Sequence, residues 1–154
     1  MPKITIEFKP IGYVTNDIKE QTDTNWGKVT SQIVLEPEYA QGLKGLSDFS
    51  HINVIYYLDK AKFVYDKHIQ RHPQGREDLP IVGLFAQRVK DRPNPIGVTS
   101  VKLIDVKDNV ITVQGLDAID GTPVLDIKPY FPVYDTKNDA VTPEWVDILM
   151  KEYF

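Results

Sequence analysis

The stretch KLIDVKDNVITVQ, residues 102–114, is two runs of alternating apolar and polar residues that meet at Lys107-Asp108-Asn109. Alternation at every second residue turns one face of an extended strand to a core and the other to water. A short Asp-Asn turn between two such runs closes an antiparallel hairpin. Outward from it, ITIEF, KPIGYVT, SQIVL, HINVIYYL, IVGLFAQ, GVTSVKLIDV and NVITVQGL are five to ten residues each, rich in Val, Ile, Thr and aromatics. Gly, Pro, Asn or Asp bounds each run, the punctuation of strands and turns. So many short strands predict a mainly β chain, a barrel or a sandwich. Two helices break the pattern. One starts at Pro37 in PEYAQGLKGL, where proline in a first turn costs no hydrogen bond and Gly42 or Gly45 can end it. The other follows Thr142-Pro143 in EWVDILMKEYF, with Thr142 as the expected cap and Trp145, Ile148, Leu149 and Tyr153 on one face.

The rest of the composition sets bounds. The chain of 154 residues fits one domain with one core, residues 1–154, and no repeat or linker interrupts it. The longest apolar runs are too short to cross a bilayer, and MPKITIEFK alternates like a strand instead of building an apolar leader. The expectation is a cytoplasmic protein that engages no membrane. With no cysteine, neither disulfides nor thiolate metal sites are available. A formal charge of −4 supplies no global attraction to nucleic acid, so any such contact needs a local basic patch.

Several motifs carry nothing. No GxGxxG follows a strand and no GxxxxGK[ST] is present, which argues against a Rossmann or P-loop nucleotide site. His68 and His72 stand four apart, but Pro73 and Gly75 make KHIQRHPQGREDL (67–79) a loop, and no third ligand stands nearby; no metal is expected. Ser47, Ser50 and His51 lack the elbow of a nucleophile and read as a turn entering a strand.

Two segments carry more. In GLFAQRVKDRPNPIGV, Arg88 and Arg92 flank a loop in which Asn94 is locked between two prolines. In GLDAIDGTPVLDIKPY (115–130), Asp117, Asp120, Asp126, Lys128 and Tyr130 crowd among apolar residues and turn formers. Each alone is an ordinary turn; together they suggest a site.

These two blocks, with PEYAQGLKGLSDFSH (37–51), resemble the TsaA-like family, also called TrmO-like or YaeB-like, of S-adenosylmethionine-dependent tRNA methyltransferases. The resemblance runs from about Ile11 to Asp135. It implies a small antiparallel β-barrel that forms a homodimer and binds S-adenosyl-L-methionine without a Rossmann domain. It also implies methylation of N6 in N6-threonylcarbamoyladenosine at position 37 of a threonine tRNA. Carried over residue by residue, the cofactor set is Phe85 and Arg88, Val98 just past the Pro-Asn-Pro-Ile-Gly run, Leu116, Asp117 and Asp120, and the turn Gly121, Thr122, Pro123 and Val124. Asp59 and Lys60 stand where bacterial relatives carry histidine and glutamine, and Thr24-Asn25-Trp26 where some carry proline-arginine-glutamine. The stiffness of RPNPIG would preorganise the corner for its ligand.

Departures from the family pattern are Gln87 for threonine, Val89-Lys90-Asp91 for a serine-proline-aromatic run, and a chain that ends at Phe154 where many bacterial relatives continue. Lys67, Arg71, Arg76, Arg88, Lys90 and Arg92 are candidates for a phosphate-binding face. Methyl transfer to a weakly nucleophilic nitrogen benefits from a base. For that step Asp126 is the candidate base or orienter, Lys128 the electrostatic stabiliser and Tyr130 the hydrogen-bonding or stacking group. A methyltransferase acting on another RNA or small molecule, and a non-catalytic cofactor-binding barrel, are the alternatives.

Overall fold

The structure, a computed structural model, describes residues 1–154. Eight strands form in chain order: β1 Gly12–Thr15, β2 Thr30–Leu35, β3 His51–Tyr57, β4 Gln70–Arg71, β5 Val82–Gly83, β6 Ile96–Lys107, β7 Val110–Gln114 and β8 Pro123–Pro129. Six of them close an antiparallel barrel in the order β1-β2-β7-β6-β3-β8, while β4 and β5 pair as a separate ribbon. The expected hairpin is β6–β7: Lys107 pairs with Val110, and Asp108 takes the left-handed conformation (φ 54) that so short a loop requires. Three short α-helices are α1 Tyr65–His68, α2 Pro132–Asp135 and α3 Glu144–Met150. None is long and apolar enough to cross a membrane.

Inward residues at period two fill the barrel. Ile52, Val54 and Tyr56 of β3 face Thr99 and Val101 of β6, Ile111 and Val113 of β7, and Ile33 of β2; all are buried. Removing a side chain such as fully buried Ile33, Ile52 or Ile111 from water contributes about 1.5–3 kcal/mol. Ile104, the extra residue where the β6–β7 register shifts between Leu103 and Asp105, is left exposed.

Four expectations change. Residues 1–10 form no strand although ITIEF alternates; the arm is exposed and makes no ladder bonds. Pro10, which has no N–H, separates it from β1. IVGLFAQ reduces to the two-residue β5 and a 3₁₀ turn, Leu84–Ala86. The helix at Pro37 is a 3₁₀ helix, Pro37–Leu43, as two glycines and a tyrosine in nine residues would favour. Helix α3 is preceded by Pro143 as N-cap with no side-chain hydrogen bond, so Thr142 does not cap it.

Candidate functional site

One rim of the barrel gathers the ends of β1, β3 and β7 and the starts of β2, β6 and β8. Strand β7 pairs with β6 only from Lys102 onward, leaving Ile96–Val101 without a ladder partner on that side. The segment after β7 lies against this opening and inserts Asp117. Its Oδ1 accepts from Tyr56 at 2.9 Å and from Thr99 at 2.5 Å, and its Oδ2 accepts from Tyr153 at 2.5 Å. Three hydroxyl donors fix one carboxylate, and its charge acts in turn on the phenols. Burial first, and the Asp117 charge second, push both tyrosines far above the usual phenol range. The Arg88 charge pulls Tyr56 the other way, as the smallest of these effects.

Arg88 is set by the corner that precedes β6. Its guanidinium donates to the Val98 carbonyl at 2.5 Å. Arg92 donates to the carbonyls of Gln87 (2.8 Å) and Val89 (3.3 Å) and lies 5.8 Å from the Phe85 ring centroid, so it braces the loop that carries Arg88. Pro95 O accepts from Leu58 N–H at 2.8 Å, tying the corner to the end of β3 and thus to Asp59 and Lys60. Gln87, the residue that replaces threonine, is buried and donates to the carbonyls of Arg71 (3.2 Å) and Val82 (3.0 Å), which pins the β4–β5 ribbon.

The structure divides the expected cofactor set by role. Arg88, Asp117, Asp59 and Lys60 carry polar groups at the rim, and Phe85 and Val98 present exposed apolar surface. Leu116, Thr122 and Val124 point into the core, and the segment's backbone is tied to β1 and its flanks: Gly121 N–H donates to Val14 O, and the Thr122 and Val124 carbonyls accept from Val14 and Ile11 N–H. Gly121 takes φ 85, a conformation that suits glycine. Asp120 is spent on structure: Oδ1 accepts from Asn16 N–H at 3.0 Å and Oδ2 from Lys19 Nζ at 2.7 Å. These bonds, led by Lys19, hold the Asp120 carboxyl below its usual range and clamp the Asp120–Pro123 turn to the loop after β1.

The acceptor-activating trio is not gathered on one atom. A bulge puts Asp126 opposite Ile55 and Val124 opposite Tyr56, so Leu125 is an extra residue. It reverses the parity of β8: Ile127 packs against the core, while Asp126 and Lys128 lie outside in an ion pair of 2.9 Å. The hydrogen bond from Lys128 to Asp126 raises the lysine. Tyr130 lies at the opposite end, its amide bonded to His51 O and its hydroxyl 2.7 Å from Thr136. Six extended residues, about 20 Å, separate it from Val124. At that end an open groove of about 590 Å³ is lined by Phe49, His51, Tyr130 and Phe131 among others.

Sequence reasoning missed Tyr56, Thr99 and Tyr153. The signal for Tyr56 was its parity with Ile52 and Val54: a tyrosine inside an apolar barrel needs a partner for its hydroxyl. The two histidines go separate ways, His68 within 3.6 Å of Asp91 and His72 at 2.6 Å from Leu79 O.

A closed six-stranded barrel with a basic corner and a hydroxyl-bound carboxylate at one rim defines a small ligand-binding all-β domain without a nucleotide-binding α/β core. The chain belongs to the tRNA-methyltransferase O N-terminal domain family, whose model matches residues 15–136. It is 40% identical over 135 residues to an S-adenosyl-L-methionine-binding protein of Archaeoglobus fulgidus, covering 85% of this chain and 94% of that one. It is 38% identical over 112 residues to the mouse tRNA (adenine(37)-N6)-methyltransferase, covering 73% of this chain and 25% of that one. The crystal structure of TrmO from Pseudomonas aeruginosa superposes with a TM-score of 0.76 at 28% identity over 94% of this chain. The present chain spans 63% of that protein.

Proposed function

We propose that this chain is an S-adenosyl-L-methionine-dependent tRNA methyltransferase that acts on N6 of adenosine 37, with N6-threonylcarbamoyladenosine of a threonine tRNA as acceptor. Family membership supports the reaction class. The observation that carries the cofactor reading is that Arg88, on a proline-stiffened corner, is bonded to Val98 O, one residue before the Thr99 that donates to Asp117. Bound S-adenosylmethionine would supply an electrophilic sulfonium methyl and depart as a neutral thioether, and the chain's own part would be to aim the acceptor nitrogen and take up its N6 proton. Orientation of the methyl against the nitrogen is the main contribution a rigid rim can make. Asp126 is the proposed proton acceptor and Lys128 the group that steadies developing negative charge. The acceptor then lies across the outer wall near Ile55 and Val98, where this pair points.

Phosphate contact falls to fewer residues than the sequence offered. Arg76 is paired with Asp78 at 2.7 Å, and Arg71, Arg88 and Arg92 each donate to a backbone carbonyl, which leaves Lys67 and Lys90 with neither kind of partner. A homodimer would double this modest face. Two features favour one: the exposed apolar side of the N-terminal arm (Ile4, Ile6, Phe8) and the edge of β8, which β1 pairs only at Pro123 and Val124. A tRNA substrate is consistent with the cytoplasmic location proposed for the chain.

The test is incubation with methyl-labelled cofactor and tRNA from cells lacking the modification, followed by nucleoside mass analysis. Labelled methyl on N6 of the threonylcarbamoylated adenosine is expected. The second reading, a binding barrel without catalysis, is favoured by the outward position of Asp126 and Lys128; it requires cofactor binding with no label in any RNA.

A further inference from the structure

Glu152–Phe154 join two segments that are distant in sequence and both belong to the candidate rim. Asn25 N–H donates to Glu152 O and Trp26 N–H to Tyr153 O, each at 2.8 Å. Gly27 lies so close beneath Phe154 that a Cβ on it would come within 2.7 Å of the Phe154 carbonyl carbon. Trp26 is 2% exposed and its indole N–H donates to Thr22 O at 2.9 Å, so the loop that receives the tail is itself fixed. From this anchorage Tyr153 sends its hydroxyl to Asp117 Oδ2 at 2.5 Å, and its ring meets Phe154 edge-on at 4.8 Å.

An ionised carboxylate offers about four acceptor positions. Tyr56 and Thr99 occupy two on Oδ1 and Tyr153 one on Oδ2, which leaves one on Oδ2. We propose that Tyr153 is a positioning residue of the cofactor site: it holds the Asp117 carboxylate so that this last acceptor position meets a hydroxyl or amino donor of the bound nucleoside. The inference rests on the reading of the rim as an S-adenosylmethionine site. Tyr153 lies beyond the residues matched by the family model, so this support comes from the chain's own C-terminal segment. Without the phenol, Oδ1 stays held while Oδ2 loses the one protein donor that limits its rotation. The same tail braces the Asn25-Trp26 loop, one of the segments expected to contact the cofactor.

The experiment is calorimetric titration of S-adenosylhomocysteine into the full chain and into Tyr153→Phe, Asp117→Asn and the double variant, with thermal melts of each. Tyr153→Phe keeps the ring and the backbone anchorage, and should weaken binding by about tenfold, the scale of one hydrogen bond to a charged group. In the Asp117→Asn background the same change should add less than about twofold, because the phenol acts through that carboxylate. Losses that multiply, or a Tyr153→Phe variant that binds as well as the native chain or better, would overturn the proposal and make the tail a brace or a cover. If the native chain itself takes up no S-adenosylhomocysteine, the rim reading fails instead. The two failures are distinct.

Discussion

Tyr56 donates its phenolic hydrogen over 2.9 Å to an Asp117 oxygen that also accepts from Thr99. The ring belongs to β3, the threonine to β6 and the carboxylate to the segment after β7, so one oxygen locks three separate pieces of the rim. A half-buried carboxylate without donors would be costly, and the hydroxyls that relieve that cost also fix its direction.

An alkaline titration reads this lock directly. Tyr56 and Tyr153 both hold phenols raised far above the ordinary value near 10, through burial and then the Asp117 charge. For a group whose folded pKa is raised, its contribution to stability is complete below about pH 10 and is lost as pH rises through the folded value. Of the eight tyrosines in the chain, two should therefore ionise only as the protein unfolds. Absorbance of tyrosinate against pH, compared with circular dichroism, checks it; smooth ionisation of all eight while the fold is intact would contradict the geometry.

Gly97 should not tolerate a side chain. A Cβ there would lie 2.4 Å from two atoms of the Tyr56 ring, and the ring is only 3% exposed and has no room to retreat. Gly97→Ala should cost about 1–3 kcal/mol by overpacking and should loosen the Tyr56–Asp117 bond. The expected result is a lowered melting temperature together with weaker cofactor uptake. Native stability in the variant would mean that the ring moves freely.

Arg88 is exposed and makes a hydrogen bond to a backbone carbonyl, so its removal is cheap for the fold and informative for the site. Arg88→Ala should weaken S-adenosylmethionine binding by about 1–3 kcal/mol, the scale of a charged hydrogen bond. Calorimetry on the variant gives the figure, and an unchanged affinity would remove Arg88 from the cofactor set.

How much of this was legible depends on the range of the interaction. The β6–β7 hairpin could be read because its alternation and its turn are local. The arm defeated the same rule: Ile4, Ile6 and Phe8 alternate as well as any strand, yet pairing is a property of neighbours that alternation does not reveal. The RPNPIG corner announced its stiffness through two prolines. Its use of Arg92 as an internal brace did not show, because that depends on carbonyls turning inward. Asp126 and Lys128 could be assigned to one side of a strand, but not to which side, since the bulge at Leu125 sets the parity through the register with β3. Tyr153 was placed on a helix face and lies instead past the end of α3, where a contact with Asp117 spans 36 residues.

The arm itself is open to test. Three large apolar side chains of the arm stand at 63% to 76% exposure, and that surface would favour burial against a second copy. Light scattering at micromolar concentration should give a dimer for the native chain, and Ile6→Glu should shift it toward monomer without lowering the melting point of the barrel. A dimer that survives the change would free the arm from that role.

The outer pair on β8 gives the sharpest division between catalysis and architecture. The Asp126 and Lys128 side chains are 48% and 65% exposed, so their ion pair contributes little to folding, about 0–1 kcal/mol at most. Asp126→Asn and Lys128→Met should therefore melt like the native chain, and neither residue touches the Asp117 node that is proposed to hold the cofactor. If Asp126 takes the acceptor proton, Asp126→Asn should lower turnover by roughly 100-fold at unchanged cofactor affinity, the signature of a group used in the transition state. Lys128→Met should act in the same direction. The measurement is the rate of methyl incorporation at saturating cofactor, set beside the calorimetric affinity. Full turnover in both variants would move the acceptor away from the β8 wall and leave the pair as surface charge.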